Sequence, residues 1–315
     1  MNTRPLQGLV LLAGTLLGPH AHAECPAPPP RLTVIVPFAV GGATDVSARF
    51  FSKEISQRYK VSAVVENVSG ASGRIGVNRV RNGGDDLVAI NTPSSAIINW
   101  IFDGLTDAQI AGMQQHVYRI ALGPQLLVIR SPLANARTAG SWKDALRSAK
   151  SFGSSGLTSH IGVQAQYLSD IAGAGLTHVP YRGTGESMAA LLGGHIDVSV
   201  MSAAAARSHV KAGELVALMT SSDRRLPELP DVPTAKEAGG TLLDSWFILS
   251  VKPGNTRLAT WLACAAAEAF ASDEARESLG REGLVPGALA GEALQKTLRE
   301  ELGVWRTMTR GQLGK

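Results

Sequence analysis

The sequence predicts an α/β protein made of two α/β units with a cleft between them. Three observations support this prediction. Buried strands alternate with amphipathic helices, short polar loops follow the strands, and apolar stretches at 125–130 and 244–251 mark crossings between two separate series. A chain of 315 residues is too long for one average domain and suits two. We expect a parallel sheet in each unit, covered by helices on both faces, and a hinge at the two crossings.

The first 23 residues are predicted to be a cleaved signal peptide. Arg4 precedes an apolar run at 9–18, and the small-residue site Ala21–Ala23 follows. The run is about half of the ~20 residues that a membrane span needs. Cleavage after Ala23 would give an exported protein. A lipoprotein signal is less favoured, because Glu24 stands where a small residue should precede Cys25.

The composition argues against several classes of function. Removal of Arg4 leaves 29 of the 30 basic residues against 26 acidic ones, a net charge of +3. These charges are scattered and aromatic residues make up 5%, whereas nucleic-acid binding needs a basic stripe with interleaved aromatics. The chain has no C-x-x-C and no H-x-x-x-H, so we expect no metal site and no cofactor. Pairing of Cys25 with Cys264 is open at this point.

The first unit follows directly after a proline-rich lead at 25–31. A strand is predicted at 32–38, followed by a helix at 45–58 capped by Thr44 or Asp45. Further along come a strand at 62–67, a glycine–serine loop, a helix around 75–80 and a strand at 87–91. This βαβαβ series predicts a parallel sheet.

The second unit repeats the alternation of strands and helices. Its predicted strands are 125–130, 151–155, 176–181, 195–201 and 216–220, with helices opening near 142, 161 and 188. Three prolines make 224–239 an irregular linker, and 244–254 is a strand with a glycine exit. From 256 to 313 the chain is expected to be helical, in segments 258–271, 273–282 and 291–308.

Four loops at the carboxyl ends of strands offer glycine, serine or threonine at a helix start: 39–45, 92–96, 154–160 and 182–187. In open parallel sheets ligands bind at this edge, and helix N-termini favour anions through their unpaired N–H groups and dipole. Each loop alone is explained as well by helix capping. Four together favour a ligand cleft. The pair Gly41–Gly42 also indicates that something approaches the backbone closely there.

The sequence gives less support to other kinds of site, such as a dinucleotide-binding or catalytic site. The glycines at 183 and 185 lack a third glycine for a dinucleotide motif, since Met188 stands in its place. No G-x-S-x-G exists, and Ser159 and His160 are adjacent in a helix's first turn, so they cannot act as nucleophile and base. A capping role for His160 is favoured over a catalytic one. Asp197 is interpreted as a partnered structural acid. Whether Trp246 and Phe247 wall a ligand or pack the hinge strand is left open.

Several motifs together resemble one family. VIVPFAVGGATDVSAR at 34–49, VPYRGTGESMAALLGGHIDV at 179–198, RLPELPDVPTAKEAG at 225–239 and SWFILSVKPG at 245–254 occur in the order found in Bug-type receptors. These are the extracytoplasmic solute-binding proteins of tripartite tricarboxylate transporters. The resemblance covers residues 31 to about 310, nearly the whole mature chain.

The resemblance implies a type II periplasmic-binding-protein fold with a hinge and an interdomain cleft. Domain 1 would comprise 31–125 plus 246–315, and domain 2 would comprise 126–245. It implies a monomeric periplasmic receptor, without enzymatic activity, that binds a small carboxylate and delivers it to membrane transporter subunits. The terminal helices would return to domain 1, which favours a disulfide between Cys25 and Cys264 over a buried free thiol.

The resemblance also implies which residues bind the carboxylate, namely backbone amides and small hydroxyls of a turn in each domain. The expected site residues are Phe38, Ala39, Gly41, Gly42, Thr44, Asp45, Ser94, Ser95, Gly156, Thr158, Ser159, His160 and Tyr181. Asp45 is acidic beside an anion, so we expect it to cap the helix or to receive a donor from the ligand.

The sequence departs from the family pattern in three places. The loop at 154–160 is about two residues shorter, ENVSGASG at 66–73 lacks a basic residue and a proline, and GGDDLVAI replaces a glycine–tyrosine motif. The shorter loop affects the shape of the pocket. Two alternatives stay open: a receptor that presents its ligand to a sensor, and an enzyme on the same scaffold.

Overall fold

The computed structural model describes residues 25–134 and 141–313. The predicted signal peptide and its cleavage site lie outside these residues. Two separate sheets organise the described chain, one of six strands and one of five. No helix in this part of the chain is long and apolar enough to cross a membrane.

The first sheet has the spatial order β11-β4-β10-β3-β1-β2. Its strands are β1 (Arg31–Val36), β2 (Ser62–Asn67), β3 (Leu87–Asn91), β4 (Gln115–Gly123), β10 (Ser245–Val251) and β11 (Val285–Ala290). Strands β1, β2 and β3 run parallel, as the sequence predicts. Strand β10 pairs antiparallel with both β3 and β4, and β11 pairs antiparallel with β4.

The second sheet has the order β7-β6-β8-β5-β9. Its strands are β5 (Gln125–Arg130), β6 (Ser151–Ser154), β7 (Thr177–Pro180), β8 (Val198–Ser202) and β9 (Leu215–Thr220). Strands β6, β7 and β8 are parallel, while β5 pairs antiparallel with β8 and β9.

Helices cover both sheets. They are α1 (Ala43–Tyr59), α2 (Arg74–Arg81), α3 (Asn99–Phe102), α4 (Asp107–Ala111), α5 (Ser131–Ala134), α6 (Trp142–Arg147), α7 (His160–Ala172), α8 (Thr184–Leu192), α9 (Ala203–Lys211), α10 (Thr256–Phe270), α11 (Asp273–Arg281) and α12 (Gly291–Thr309). A 3₁₀ turn at Ala71–Gly73 and a π-helical turn at Ser94–Ile98 complete the first unit.

The sheets correct three expectations. Both are mixed rather than purely parallel, because the strands beside the crossings return antiparallel. The segment after 256 is not wholly helical, since β11 lies between α11 and α12. The apolar stretches at 125–130 and 245–251 are full strands of different sheets, so the chain crosses before Gln125 and before Ser245. The division into domain 1 at 31–125 plus 246–315 and domain 2 at 126–245 stays a prediction.

The crossings are tied together by hydrogen bonds. The Gln125 N–H donates to Ser221 Oγ at 2.7 Å, and the Ser221 hydroxyl donates to the carboxylate of Asp244. Burial raises the pKa of Asp244, although the Ser221 hydrogen bond opposes this shift. One short chain of hydrogen bonds therefore joins the first crossing at Gln125 to the return crossing at Asp244.

Besides the two chain crossings, packing of helix α12 also connects the two units. Val163 of α7 belongs to the same buried cluster as Trp305 and Met308 of α12. The Gln312 side-chain amide donates to the Val163 carbonyl oxygen at 3.3 Å. Trp246 also packs inside this cluster, and its indole N–H donates to Glu301 at 2.6 Å. Phe247 is buried in the core of the first unit, so both aromatic residues pack the strand.

A disulfide between Cys25 and Cys264 links the proline-rich segment at 25–31 to α10, with 5.5 Å between the two Cα atoms. This bond confirms the favoured pairing. It forms because α10 returns to the first sheet, where both cysteines come together. Asp197 has the structural role expected from the sequence: Arg130 Nε donates to it at 2.8 Å and the Lys150 N–H at 2.7 Å.

Candidate functional site

The first predicted turn joins β1 to α1. Helix α1 begins at Ala43, two residues earlier than predicted, and its N-cap is Gly42, which supplies no capping side chain. Gly41 has φ +91°, a conformation that favours glycine, and both glycines are exposed. A Cβ placed on Gly42 would meet nothing within 4 Å. The helix start therefore presents backbone to open space.

Asp45 does not cap the helix from the N-cap position. Its carboxylate folds back to accept the Gly41 N–H at 3.1 Å, and Arg49 and Asn67 donate to it at 3.0 and 2.9 Å. Burial alone raises the pKa of Asp45, but these hydrogen bonds outweigh burial and hold the pKa below its usual value. The ionised carboxylate therefore stabilises the turn. Thr44 beside it is buried.

The second predicted turn joins β6 to α7. Gly156 has φ +114°, and Ser159 is the N-cap of the helix. The Ser159 hydroxyl accepts the Gly162 N–H at 3.0 Å and donates to the Gly156 carbonyl at 2.7 Å. Ser159 therefore stabilises the turn with both sides of its hydroxyl. Its neighbours Thr158 and His160 are half-buried and face the first unit.

The two units meet at these turns. The His160 backbone N–H, at the start of α7, donates to Ser94 Oγ of the first unit at 3.0 Å. The same hydroxyl lies 3.1 Å from His160 Nδ1. Beside this pair, Ser72 Oγ and Thr158 Oγ1 share a hydrogen bond of 3.3 Å. The α7 helix start and the polar loops of the first sheet are therefore in contact, and the cleft is closed along this line.

His160 is neutral at physiological pH. Its ring is partly exposed, yet the surrounding protein lowers the pKa of His160 to about 4 by desolvation. A neutral imidazole has one donor and one acceptor nitrogen, so Nδ1 either accepts from Ser94 or donates to it. In both tautomers His160 offers polarity to the cleft without a positive charge.

Ser72 was not among the predicted site residues. It lies in a loop where Gly70, Ala71, Ser72 and Gly73 all have positive φ, at 131°, 48°, 54° and 95°. Such a run is costly for non-glycine residues and is often found at functional sites. The Asn99 side chain fixes it by donating to the Ser72 carbonyl at 2.8 Å. The glycine–serine composition of 70–73 was the available signal.

Ser95 points into the protein. It is fully buried, donates to Asn91 Oδ1 at 3.0 Å and accepts the Thr92 N–H at 3.1 Å, which supports the π-helical turn. Tyr181 follows β7, is half-buried, and its N–H donates to the Ser154 carbonyl at 2.9 Å. A ligand-binding role for these two residues stays a prediction.

Phe38 and Ala39 begin the first turn. The Phe38 carbonyl accepts the Asn67 side chain at 3.2 Å, and its ring lies against Gly73, since a Cβ there would be 3.4 Å from Phe38 Cζ. Ala39 is exposed. Phe38 thereby joins the first turn to the Ser72 loop.

A groove of about 410 Å³ lies at the other end of the first sheet, away from the turns described above. It is lined by the proline-rich lead and the start of α10, including Arg31, Asp86, Arg257 and Trp261. Strand β1 begins at Arg31, so this groove borders the amino ends of the strands. Ligands of open α/β sheets bind at the carboxyl ends instead, where the loops carrying Gly41, Ser94 and His160 lie.

One group of potential metal ligands is close together in the described chain: Cys25, Cys264 and Glu268. Its two sulfur atoms are joined in the disulfide and are not available as thiolates. This group lies with the lead and α10, away from the cleft.

A family model and a known protein both match this chain along most of its length. The family model described as tripartite tricarboxylate transporter family receptor matches residues 47–311. The protein BugT of Bordetella pertussis is 25% identical over 314 residues, covering 96% of this chain and 95% of BugT.

Solved structures agree with this match. A TctC solute-binding protein from Polaromonas superposes with a TM-score of 0.71 at 26% identity, covering 89% of this chain and 98% of that one. A Rhodopseudomonas palustris protein, solved with adipate, superposes with a TM-score of 0.72 at 25% identity, covering 90% and 97%. Their two-domain periplasmic-binding-protein fold is the fold of this chain.

Proposed function

The chain belongs to the tripartite tricarboxylate transporter receptor family, and we propose that it captures one small carboxylate and delivers it to the membrane subunits of such a transporter. Members of this family are periplasmic solute-binding proteins and not enzymes. Export through the signal peptide, with cleavage after Ala23, is part of the proposal. So are a monomeric receptor and its division into domain 1 at 31–125 plus 246–315 and domain 2 at 126–245.

The observation that carries the proposal is the hydrogen bond from the His160 N–H to Ser94 Oγ. A helix start that donates a backbone N–H across a cleft is a site where an anion is stabilised by the N–H group and by the helix dipole. In the structure the Ser94 hydroxyl oxygen accepts from this donor. We propose that a carboxylate oxygen takes it when the cleft opens to admit solute.

The opposite wall of the site is the turn at Gly41–Gly42. Helix α1 has no capping side chain, and no atom lies within 4 Å of a Cβ at Gly42, so a carboxylate has room to reach the first amides. Hydroxyls of Ser72, Ser94 and Thr158 line the contact between the units beside the start of α7 and supply further hydrogen bonds. This arrangement supports a site made of amides and hydroxyls, as the family resemblance implies.

Two arginine side chains of the first unit that border the site are already paired. Arg49 forms an ion pair with Asp45 at 3.0 Å, and Arg74 forms one with Asp103 at 2.6 Å. The solute's charge is therefore balanced mainly by N–H groups and helix dipoles. Such a site supports reversible binding, because no full positive charge has to be separated from the anion at release. The adipate in the R. palustris relative supports a carboxylate as the solute class.

A thermal-shift screen tests the proposal. Mono- and dicarboxylates of three to eight carbons, including adipate, are compared with their methyl esters, which keep the shape and lose the charge. At 100 times Kd a carboxylate should add about 2.7 kcal/mol to the free energy of unfolding. The esters should add nothing. A screen in which no acid raises Tm more than its ester would contradict the proposal.

A further inference from the structure

Gln164 of α7 is a fully buried polar residue that contacts the return crossing. It lies about one helical turn after His160, whose N–H is the proposed donor to the carboxylate. The Gln164 side-chain carbonyl oxygen accepts the backbone N–H of Leu243 at 2.5 Å. Leu243 immediately precedes Asp244, so a single hydrogen bond joins the proposed solute-binding helix to this crossing.

Asp244 extends the connection to the first crossing. Its carboxylate accepts from the Ser221 hydroxyl, and Ser221 Oγ accepts the Gln125 N–H at 2.7 Å. The chain of hydrogen bonds that begins at Gln164 therefore reaches both crossings between the units.

The first unit holds the other side of each crossing. Gly123 of β4 pairs with Ser245 of β10 in the first sheet. Gln125 and Asp244, in contrast, belong to the chain of hydrogen bonds described above. Only Pro124 and the peptide link from Asp244 to Ser245 lie between the two groups. The hinge is therefore limited to a few backbone dihedral angles, which defines where α7 returns when the cleft closes.

Stability alone does not explain a glutamine at position 164. The Gln164 side-chain NH₂ group is buried and has no hydrogen-bond partner in the described chain, which disfavours folding. Val163 next to it belongs to an apolar cluster, and Leu243 packs against the same cluster. A methionine of similar length would suit these surroundings better. What it would lack is the oxygen that accepts the Leu243 N–H.

We propose that Gln164 is a positioning residue for solute binding: by holding Leu243, it keeps α7 and the crossings in one rigid piece. The His160 N–H then returns to the same place at each closure. Gln164 does not contact the solute and acts through α7. This inference rests on the proposed function, which makes the His160 N–H the carboxylate donor, but the connection between α7 and the hinge can be tested without a solute.

Two variants separate this role from packing. Gln164→Met keeps the length of the side chain and removes the acceptor, so that Leu243 is released. Gln164→Glu keeps an acceptor oxygen, whether neutral or ionised, and loses only the NH₂ group that has no partner. Pulsed electron–electron resonance between spin labels at Ser62→Cys in β2 and Thr177→Cys in β7 measures the separation of the units in the ligand-free protein. Gln164→Met should widen the distribution of distances, and Gln164→Glu should keep the wild-type distribution.

Calorimetry with adipate, with which the R. palustris relative was solved, measures the effect on binding. Gln164→Met should weaken the affinity roughly two- to tenfold, the equilibrium effect of one hydrogen bond. Its Tm should change little, because an unpartnered NH₂ group is removed as well. Gln164→Glu should show the reverse: a lower Tm, because a carboxyl group is buried, and an affinity close to that of the wild type. A residue that only packed the core would give affinities that follow Tm.

Gln166→Met is the matched control. Gln166 lies in the same helix, but its side chain donates to Asp170 within α7 at 2.8 Å, so distances and affinity should stay at wild-type values. Wild-type distances or wild-type affinity in Gln164→Met overturn the inference, and so does an equal loss of affinity in Gln164→Glu. Absence of adipate binding by the wild-type protein would count against the proposed function, and the distances in the ligand-free protein would still decide the inference.

Discussion

Ser94 and His160 belong to units built on different sheets, and the backbone N–H of His160 donates to Ser94 Oγ at 3.0 Å. Ser94 follows β3 of the first sheet, and His160 begins α7 after β6 of the second. The first unit thus satisfies a helix-start donor of the second. Opening of the cleft would break this hydrogen bond, and in our proposal a carboxylate oxygen then replaces Ser94 Oγ as the acceptor of the His160 N–H.

We expect Ser94→Ala to shift the ligand-free protein towards the open form. The closed form would lose a hydrogen bond of about 0.5–1.5 kcal/mol and leave the His160 N–H without its partner. Pulsed electron–electron resonance between spin labels at Ser62→Cys in β2 and Thr177→Cys in β7 measures the separation of the units. Ser52→Ala in the same labelled background is the control. Identical distance distributions in all three proteins would exclude a role for Ser94 in closure.

Gly42→Val should abolish carboxylate binding and leave the fold intact. Gly42 has φ −80°, which valine adopts without strain, and its Cβ would meet nothing in the protein. The side chain would instead fill the space through which a carboxylate reaches the α1 amides. Calorimetry measures the affinity. Gly280→Val in α11, where a Cβ is equally free, should keep wild-type affinity. Retained binding by Gly42→Val would remove this turn from the site.

Acidification should destabilise the protein between pH 6.5 and 4 through two histidines. Desolvation lowers the pKa of both His116 and His160 to about 4 in the folded state, whereas the unfolded chain titrates near 6.5. The unfolded state therefore binds more protons in this window, and stability falls as the pH falls. Each histidine accounts for at most about 3 kcal/mol, and for less than this because both residues are partly exposed.

Either His116→Asn or His160→Asn should flatten this pH dependence, as measured by urea unfolding at several pH values. His116 bonds to Ser250 within the first sheet, so its variant should bind carboxylate normally. His160→Asn should weaken binding as well, because its ring lies in the cleft. Equal affinities in the two variants would exclude the His160 ring from the site, because the backbone N–H is kept in His160→Asn.

The disulfide should stabilise the fold without affecting the cleft. It joins residues 239 positions apart, and the entropy lost by an unfolded chain closed over so long a loop corresponds to more than ~4 kcal/mol, with losses to strain. Cys25→Ser with Cys264→Ser should therefore lower Tm by several degrees and keep solute affinity. A thiol assay on denatured, unreduced protein should find no free thiol. Two free thiols per chain would contradict the pairing.

The sequence predicts those parts of the fold that follow from local pattern. Strands β1 and β3 are mostly apolar, and α10 to α12 have apolar residues at helical spacing. Strand β4 was not predicted, because QHVYRIALG mixes polar and apolar residues and depends on β10 and β11 on either side. Strand β11 was expected to be helical or loop, and only its pairing with β4 makes it a strand.

The same limit applies to the site. The turns around Gly41 and His160 could be predicted, since glycine before a helix start has a local meaning. The part played by Ser72 could not, because it depends on four successive residues of positive φ held by Asn99. The ligand-binding role of Ser95 stays a prediction, and the direction of its side chain could not be read from the sequence. Its position after β3 suggested the cleft, but the π-helical turn directs its hydroxyl to Asn91.

The most direct test of the account is an amide NMR titration of the ¹⁵N-labelled protein with the acid that gives the largest thermal shift. If one carboxylate is held between two helix starts, the backbone signals of Gly41, Gly42 and His160 should move together and saturate at one concentration. Methyl ester of the same acid should leave them in place. Saturable binding that moves only one of the two turns, or that moves Trp261 in the distant groove instead, would contradict the proposed site.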